Sequence, residues 1–165
     1  MNEELIANIL MIIGEAILFV ASSRKNKKDI LLLQIVSMVI MGIASYLLKG
    51  YSAIVMDVIA ITRNILSIRG IGSRFLSYTF IAMAIIFGVL FNNNGIFGYL
   101  PIIANVTQSV FILNSKASTR QIRFACAFSS ACWTIYNIII KGKAAAVTNM
   151  INAASYFYNG LKDEK

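Results

Sequence analysis

The stretch LIANILMIIGEAILFVASS, Leu5–Ser23, decides how this chain folds. It is apolar almost throughout, and the basic cluster RKNKK, 24–28, follows at once. A helix of about 20 mostly apolar residues crosses the hydrocarbon of a bilayer, and the cations behind it suit the headgroups on one side. A second run, ILLLQIVSMVIMGIASYLL, fills 30–48, and the same alternation continues to the C-terminus. The spans read from it are Leu5–Ser23, Ile30–Leu48, Tyr51–Ile68, Phe75–Phe91, Ile96–Asn114, Ile122–Ile140 and Lys143–Leu161, of which the third and seventh are the least apolar. Seven such helices with tight turns nearly use up 165 residues. The expected fold class is therefore all-α integral membrane, with seven transmembrane helices and no appended soluble domain. Composition agrees: 58% of residues are apolar, 13% are charged, and mean hydropathy is +0.74. A soluble domain of this length hides one core beneath a more charged surface.

The chain carries a net charge of +8, and its distribution assigns that charge to topology. Met1-Asn-Glu-Glu is acidic, unlike the basic start of a secretory signal, so the first helix reads as retained with its amino end outside. Arg24, Lys25, Lys27, Lys28, Arg69, Arg74, Lys116, Arg120, Arg123, Lys162 and Lys165 then share one side, while Lys49, Lys141 and Lys143 lie on the other. That is the positive-inside pattern, with the N-terminus outside and the C-terminus cytoplasmic. The partner it implies is an anionic lipid surface, not nucleic acid. Cys126 and Cys132 are six positions apart on different faces of one helix and read as free buried thiols. With no histidine in the chain, neither a metal nor a cofactor is expected.

Placing the Lys49-Gly50 turn on the Lys141-Gly142 turn sets an offset of 92. Without a gap, Phe19 then meets Phe111, Ile30 meets Ile122, Ser37 meets Ser129, and Ala53 meets Ala145. The basic turns also coincide, Arg24 with Lys116 and Lys28 with Arg120. The expected organisation is 3+1+3: a triple-helix bundle over 1–69, a connecting transmembrane helix over 70–95, and a second bundle over 96–165. An odd connecting helix gives both bundles the same orientation, a parallel repeat. The fourth span has only Ser77, Tyr78 and Thr79 as polar groups and reads as a lipid-facing linker.

Ser52-Ala-Ile, Arg63-Asn-Ile-Leu-Ser-Ile-Arg69, Leu100-Pro-Ile-Ile and Cys132-Trp-Thr-Ile-Tyr-Asn137 resemble the bacterial inner-membrane YgjV-like family. The resemblance covers most of the chain and implies residence in the bacterial cytoplasmic membrane. That family is distantly similar to the SWEET, SemiSWEET and PQ-loop proteins, which share the 3+1+3 plan and of which many move sugars or other small solutes by alternating access. This chain has no Pro-Gln pair at the corresponding helix end, and Pro101 is its only proline.

Ionisable groups at membrane depth are costly and mark functional sites. Glu15 and Asp57 lie near mid-span, and Arg63 sits closer to the inner end of the third helix. Glu15 and Arg63 fall at similar depth on helices running the same way, so a buried pair is one expectation. The other is that Arg63 snorkels to the inner headgroups. The offset aligns Glu15 with Thr107, Asp57 with Asn149 and Arg63 with Ser155. The second half is therefore the neutral one. There Asn149, Asn152, Tyr156 and Asn159 make one helix stripe, and Cys126, Ser130, Trp133 and Asn137 another. Facing each other, these stripes would line a slot for a small neutral polar solute, closed by Asn105 and Gln108 on the fifth helix. By resemblance to SWEET-like proteins, Trp133 and Asn149 occupy solute-contacting places, whereas the equivalent places in the first half hold Met41 and Asp57.

Two functions compete on these residues. One is a small-solute carrier or facilitator, with Asp57 available to take a proton during the cycle. The other is a non-transporting scaffold or complex subunit whose amides serve helix association, with oligomerisation left open. An intramembrane enzyme is not expected, because Glu15 and Asp57 lie on separate helices without a protease motif or a histidine base.

Overall fold

The computed structural model describes residues 3–47, 51–92, 95–139 and 143–162. Its helices are α1 (Glu3–Ser22), α2 (Lys27–Leu47), α3 (Tyr51–Ile68), α4 (Arg74–Leu90), α5 (Tyr99–Ile112), α6 (Thr119–Ile139) and α7 (Lys143–Lys162), with a short 3-10 turn at Gly95–Gly98 ahead of α5. The turns Lys49-Gly50 and Lys141-Gly142 lie outside the described residues, as does Lys165. Among the described residues, three stretches are long and apolar enough to cross a membrane by length and composition: α1, α2, and the 3-10 turn taken with α5. α4 is a shorter apolar helix.

Local chemistry sets the helix ends. Ser118 and Gln121 form a reciprocal capping box at the start of α6: the Gln121 amide donates to Ser118 Oγ, and the Ser118 amide to Gln121 Oε1. Ser73, extended at φ −148°, caps α4 by accepting from the Leu76 amide. α3 ends in a Schellman turn, with Ile71 N–H bonded to Leu66 O and Gly70 N–H to Ser67 O. Gly70 sits at φ +75°, where a side chain would be strained.

The fifth span differs from the expected Ile96–Asn114. Gly95 at φ +59° and the 3-10 turn delay the α-helix to Tyr99. Pro101 then falls in the first turn, where its missing N–H costs no helical bond. At the other end, Asn114 Oδ1 accepts from the Lys116 amide and the chain leaves the helix. The expected spans, the fifth included, begin and end within three residues of the observed helices.

α2 lies between α1 and α3, and α6 lies between α5 and α7. α1 also packs on α7 and α3 on α5, so these six close on themselves around a centre. α4 stays outside, mainly against α5 and more lightly against α3. It presents Ser77, Phe80, Ala84 and Gly88 inward at spacings of three and four, while Phe75, 80% exposed, and Tyr78 face outward.

One end of the bundle gathers the last turns of α1, α3, α5 and α7 with the first turns of α2 and α6. Lys27 Nζ and Ser67 Oγ both donate to the Ile112 carbonyl, each at 2.7 Å. Arg123 donates to the carbonyls of Asn159 and Arg24, and the hydroxyls of Ser22 and Ser155 meet. Beneath these bonds Ala21, Ile30, Leu31, Ile112, Ile122 and Tyr156 pack as a closed apolar core. This is the basic end of the molecule, with Arg24, Lys25, Lys28, Arg69 and Lys116 exposed around it.

Burial is inverted relative to a soluble bundle. Ile9, Ile12, Phe19, Val36, Ile86 and Phe157 lie exposed on the outside. Glu15, Gln34, Arg63, Asn64, Asn105 and Asn152 are buried. In water such an arrangement exposes what should be hidden; in hydrocarbon it is the favourable one.

Candidate functional site

A cavity of about 640 Å³ occupies the centre of the ring of six helices, within the size range of small-molecule sites. It extends from Ser45, Ala53, Asn137 and Ala145 at the end away from the basic cluster down to a floor of Gln34, Cys126 and Tyr156. The closed core at the basic end lies beneath that floor. Leu90, Phe91 and Asn92, at the close of α4, reach its upper rim.

The floor is a polar junction. Gln34 Nε2 donates to Cys126 Sγ at 3.0 Å and to Tyr156 Oη at 3.5 Å, while Gln34 Oε1 accepts from Asn64 Nδ2 at 3.1 Å. Gln34 and Cys126 are 92 positions apart, and so are Asn64 and Tyr156. Higher on the wall the same offset relates Ser37 to Ser129, Met41 to Trp133, Ser45 to Asn137, Ala53 to Ala145 and Asp57 to Asn149, and all ten residues line the cavity. Gln34 and Asn64 were not singled out from the sequence. The signal that finds them is this offset, which carries Gln34 onto Cys126 and Asn64 onto Tyr156.

Trp133, Asn137, Asn149, Tyr156, Asn105 and Gln108 all line the cavity. Asn152 and Asn159 do not. Asn152, 1% exposed, sits behind the wall and donates to both the carboxylate and the backbone carbonyl of Glu15. Its own Oδ1 has no donor. Asn159 Nδ2 turns back to the Ser155 carbonyl. Cys126 and Cys132 are both free and buried, and only Cys126 reaches the cavity.

The expected Glu15–Arg63 pair does not form, and Arg63 does not snorkel. α2 stands between their helices, so Glu15 faces α7 and Arg63 faces α5. Asn149 Nδ2 reaches Glu15 Oε1 at 2.7 Å and Asn152 Nδ2 takes Oε2. Arg63, fully buried, donates to Gln108 Oε1 at 2.8 Å, to the Asn105 carbonyl and Ser109 Oγ at 3.2 Å each, and to Asn64 Oδ1. Among the described residues, every hydrogen-bond partner of this cation is neutral.

Asp57 differs from both. It lines the cavity beside Gly42, where an added methyl would lie 3.8 Å from Asp57 Oδ2. No described residue donates a hydrogen bond to it. Trp133 and Tyr136, also in the wall, stack edge to face with centroids 5.6 Å apart. Among the described residues no group of histidine, cysteine and carboxylate side chains is placed to hold a metal.

The fold and site together define an all-helical bundle, apolar outside, with a polar cavity at its centre. The chain belongs to the Imp-YgjV family of bacterial inner membrane proteins, whose pattern it matches over residues 5–165. No curated protein and no solved structure matches it.

Proposed function

We propose that this inner-membrane protein is a carrier or facilitator for a small polar solute, with the central cavity as its solute site, and that it is not an enzyme. In this reading all seven helices cross the bilayer, with the N-terminus outside and the basic end and C-terminus in the cytoplasm. Residues 1–69 and 96–165 are two parallel triple-helix bundles about an axis along the membrane normal, and 70–95 supplies the linking helix, α4. Support for the two-bundle plan comes from packing: the offset that carries α1, α2 and α3 onto α5, α6 and α7 also carries the α1–α7 seam onto the α5–α3 seam. The observation that carries the functional reading is the cavity itself. Its wall is drawn from equivalent positions of both halves, and it stops at a bonded floor over a closed basic end. A site reaching one face and sealed from the other is one half of an alternating-access cycle.

The scaffold reading draws on Asn149 and Asn152, whose amides are spent on Glu15 and so act as interhelical glue. A thermal-shift screen of the purified chain against sugars, nucleosides and amino acids separates the two. A ligand at a hundred times its Kd stabilises the folded state by about 2.7 kcal/mol. For a carrier, some ligand raises the melting temperature of the wild type but not of Trp133→Ala or Asn137→Ala. A silent screen, with both variants as stable as wild type, favours the scaffold.

A further inference from the structure

We infer that the solute is a small organic cation, held with its ammonium or pyridinium head at Asp57 and its body against Trp133. The inference rests on the cavity being a solute site and adds the charge class of what enters it. The amide-rich second half by itself suggests a neutral solute, but the structure brings the acidic first half to the same cavity.

Among the described residues, the charged groups facing this space are Glu15 and Asp57, and both are acidic. Arg63, which could have balanced them, does not line it; its guanidinium is committed to Asn64 and to α5. Glu15 is already engaged by two amide donors, which leaves Asp57 as the carboxylate without a protein donor. An ionisable group set at membrane depth with nothing to satisfy it is costly, and a cationic ligand removes that cost. Three amides of this region are spent elsewhere: those of Asn149 and Asn152 on Glu15, and that of Asn105 on the Pro101 carbonyl.

The rest of the wall suits the same class. Trp133 and Tyr136 offer aromatic surface to a cation. Met11, Met38 and Met41 add polarisable thioether surface that accommodates methylene and N-methyl groups. A phosphate or carboxylate ligand would meet the two carboxylates with no cation among the described residues of the wall to receive it.

Trp133 is the single tryptophan of the chain, so its fluorescence reads this cavity alone. N-methylpyridinium, a cationic quencher, and acrylamide, a neutral one, are titrated into the detergent-purified full chain. Saturable quenching by N-methylpyridinium is expected, displaced by 2-phenylethylamine but not by its neutral counterpart 2-phenylethanol. Asp57→Asn should raise the half-quenching concentration at least about tenfold, as expected when one partner of a desolvated ion pair is removed. Asp57→Glu should keep the response saturable, and acrylamide quenching should not change in either variant. Linear quenching by the cation, or an Asp57→Asn curve that superimposes on wild type, overturns the cation assignment. If acrylamide still reaches Trp133 in that case, the cavity stands as a site for a neutral solute. If acrylamide fails to quench, the cavity is closed to solutes, and the transport reading falls with the inference.

Discussion

Glu15 and Arg63 show that depth along a helix does not choose a partner. The two lie at similar heights on parallel helices, yet each turns to a different seam of the bundle and is held there by neutral groups. Exchanging them as Glu15→Arg with Arg63→Glu should therefore melt below either single variant in detergent, because each seam would then carry the wrong charge toward its donors or acceptors. Arg63→Lys should also lose stability, by about 1–3 kcal/mol, since an ammonium cannot reach all the acceptors the guanidinium fork spans and leaves buried oxygens short of donors. Both are read by thermal melting of purified protein. The presence of buried ionisable groups was legible from Glu15, Asp57 and Arg63 in otherwise apolar runs. Their pairing was not, because it depends on the rotation of each helix about its axis and on which neighbour lies beyond.

Among the elements, α3 and α7 were expected to be the least apolar; of the observed helices α6 and α7 are, and the contacts of α3 and α7 show how they accommodate polarity. Their amides and charges point to neighbouring helices and the cavity, as Asn64 does to Gln34 and Asn149 to Glu15. Helix boundaries were largely legible from the basic clusters and from where the apolar runs stop. The start of α5 was not, although Gly95, Gly98 and Pro101 carried the signal of a delayed helix. Close approach of elements is the part that sequence conceals. A Cβ at Gly72 would lie 2.5 Å from the Leu113 backbone oxygen, and one at Gly88 would collide with Ile102 and come within 2.9 Å of Met56 Cε. Gly72→Ala and Gly88→Leu should each destabilise the fold by about 1–3 kcal/mol through overpacking. Gly72→Ala should be the harder to relieve, because the obstacle is backbone. Chemical unfolding monitored through Trp133 would read both.

For the whole molecule, the transport reading requires the basic end to open during the cycle. Ser22, the last residue of α1, meets Ser155 of α7 hydroxyl to hydroxyl, which makes them a place to fasten that end. The double variant Ser22→Cys/Ser155→Cys should cross-link under oxidation and lose solute flux in proteoliposomes, with flux returning on reduction. Flux that persists in the cross-linked protein would mean that this seam stays shut throughout the cycle. At the cavity floor, Gln34 meets Cys126 across the proposed axis, each the other's counterpart by the offset of 92. A chain built from two identical halves would bring like against like there: two thiols open to oxidation, or two glutamines. The unequal pair lets one side chain give while the other receives, and leaves the glutamine oxygen free for Asn64. Whatever ancestry the halves share, at this point they have become different tools, and neither half on its own could rebuild the joint by meeting a copy of itself.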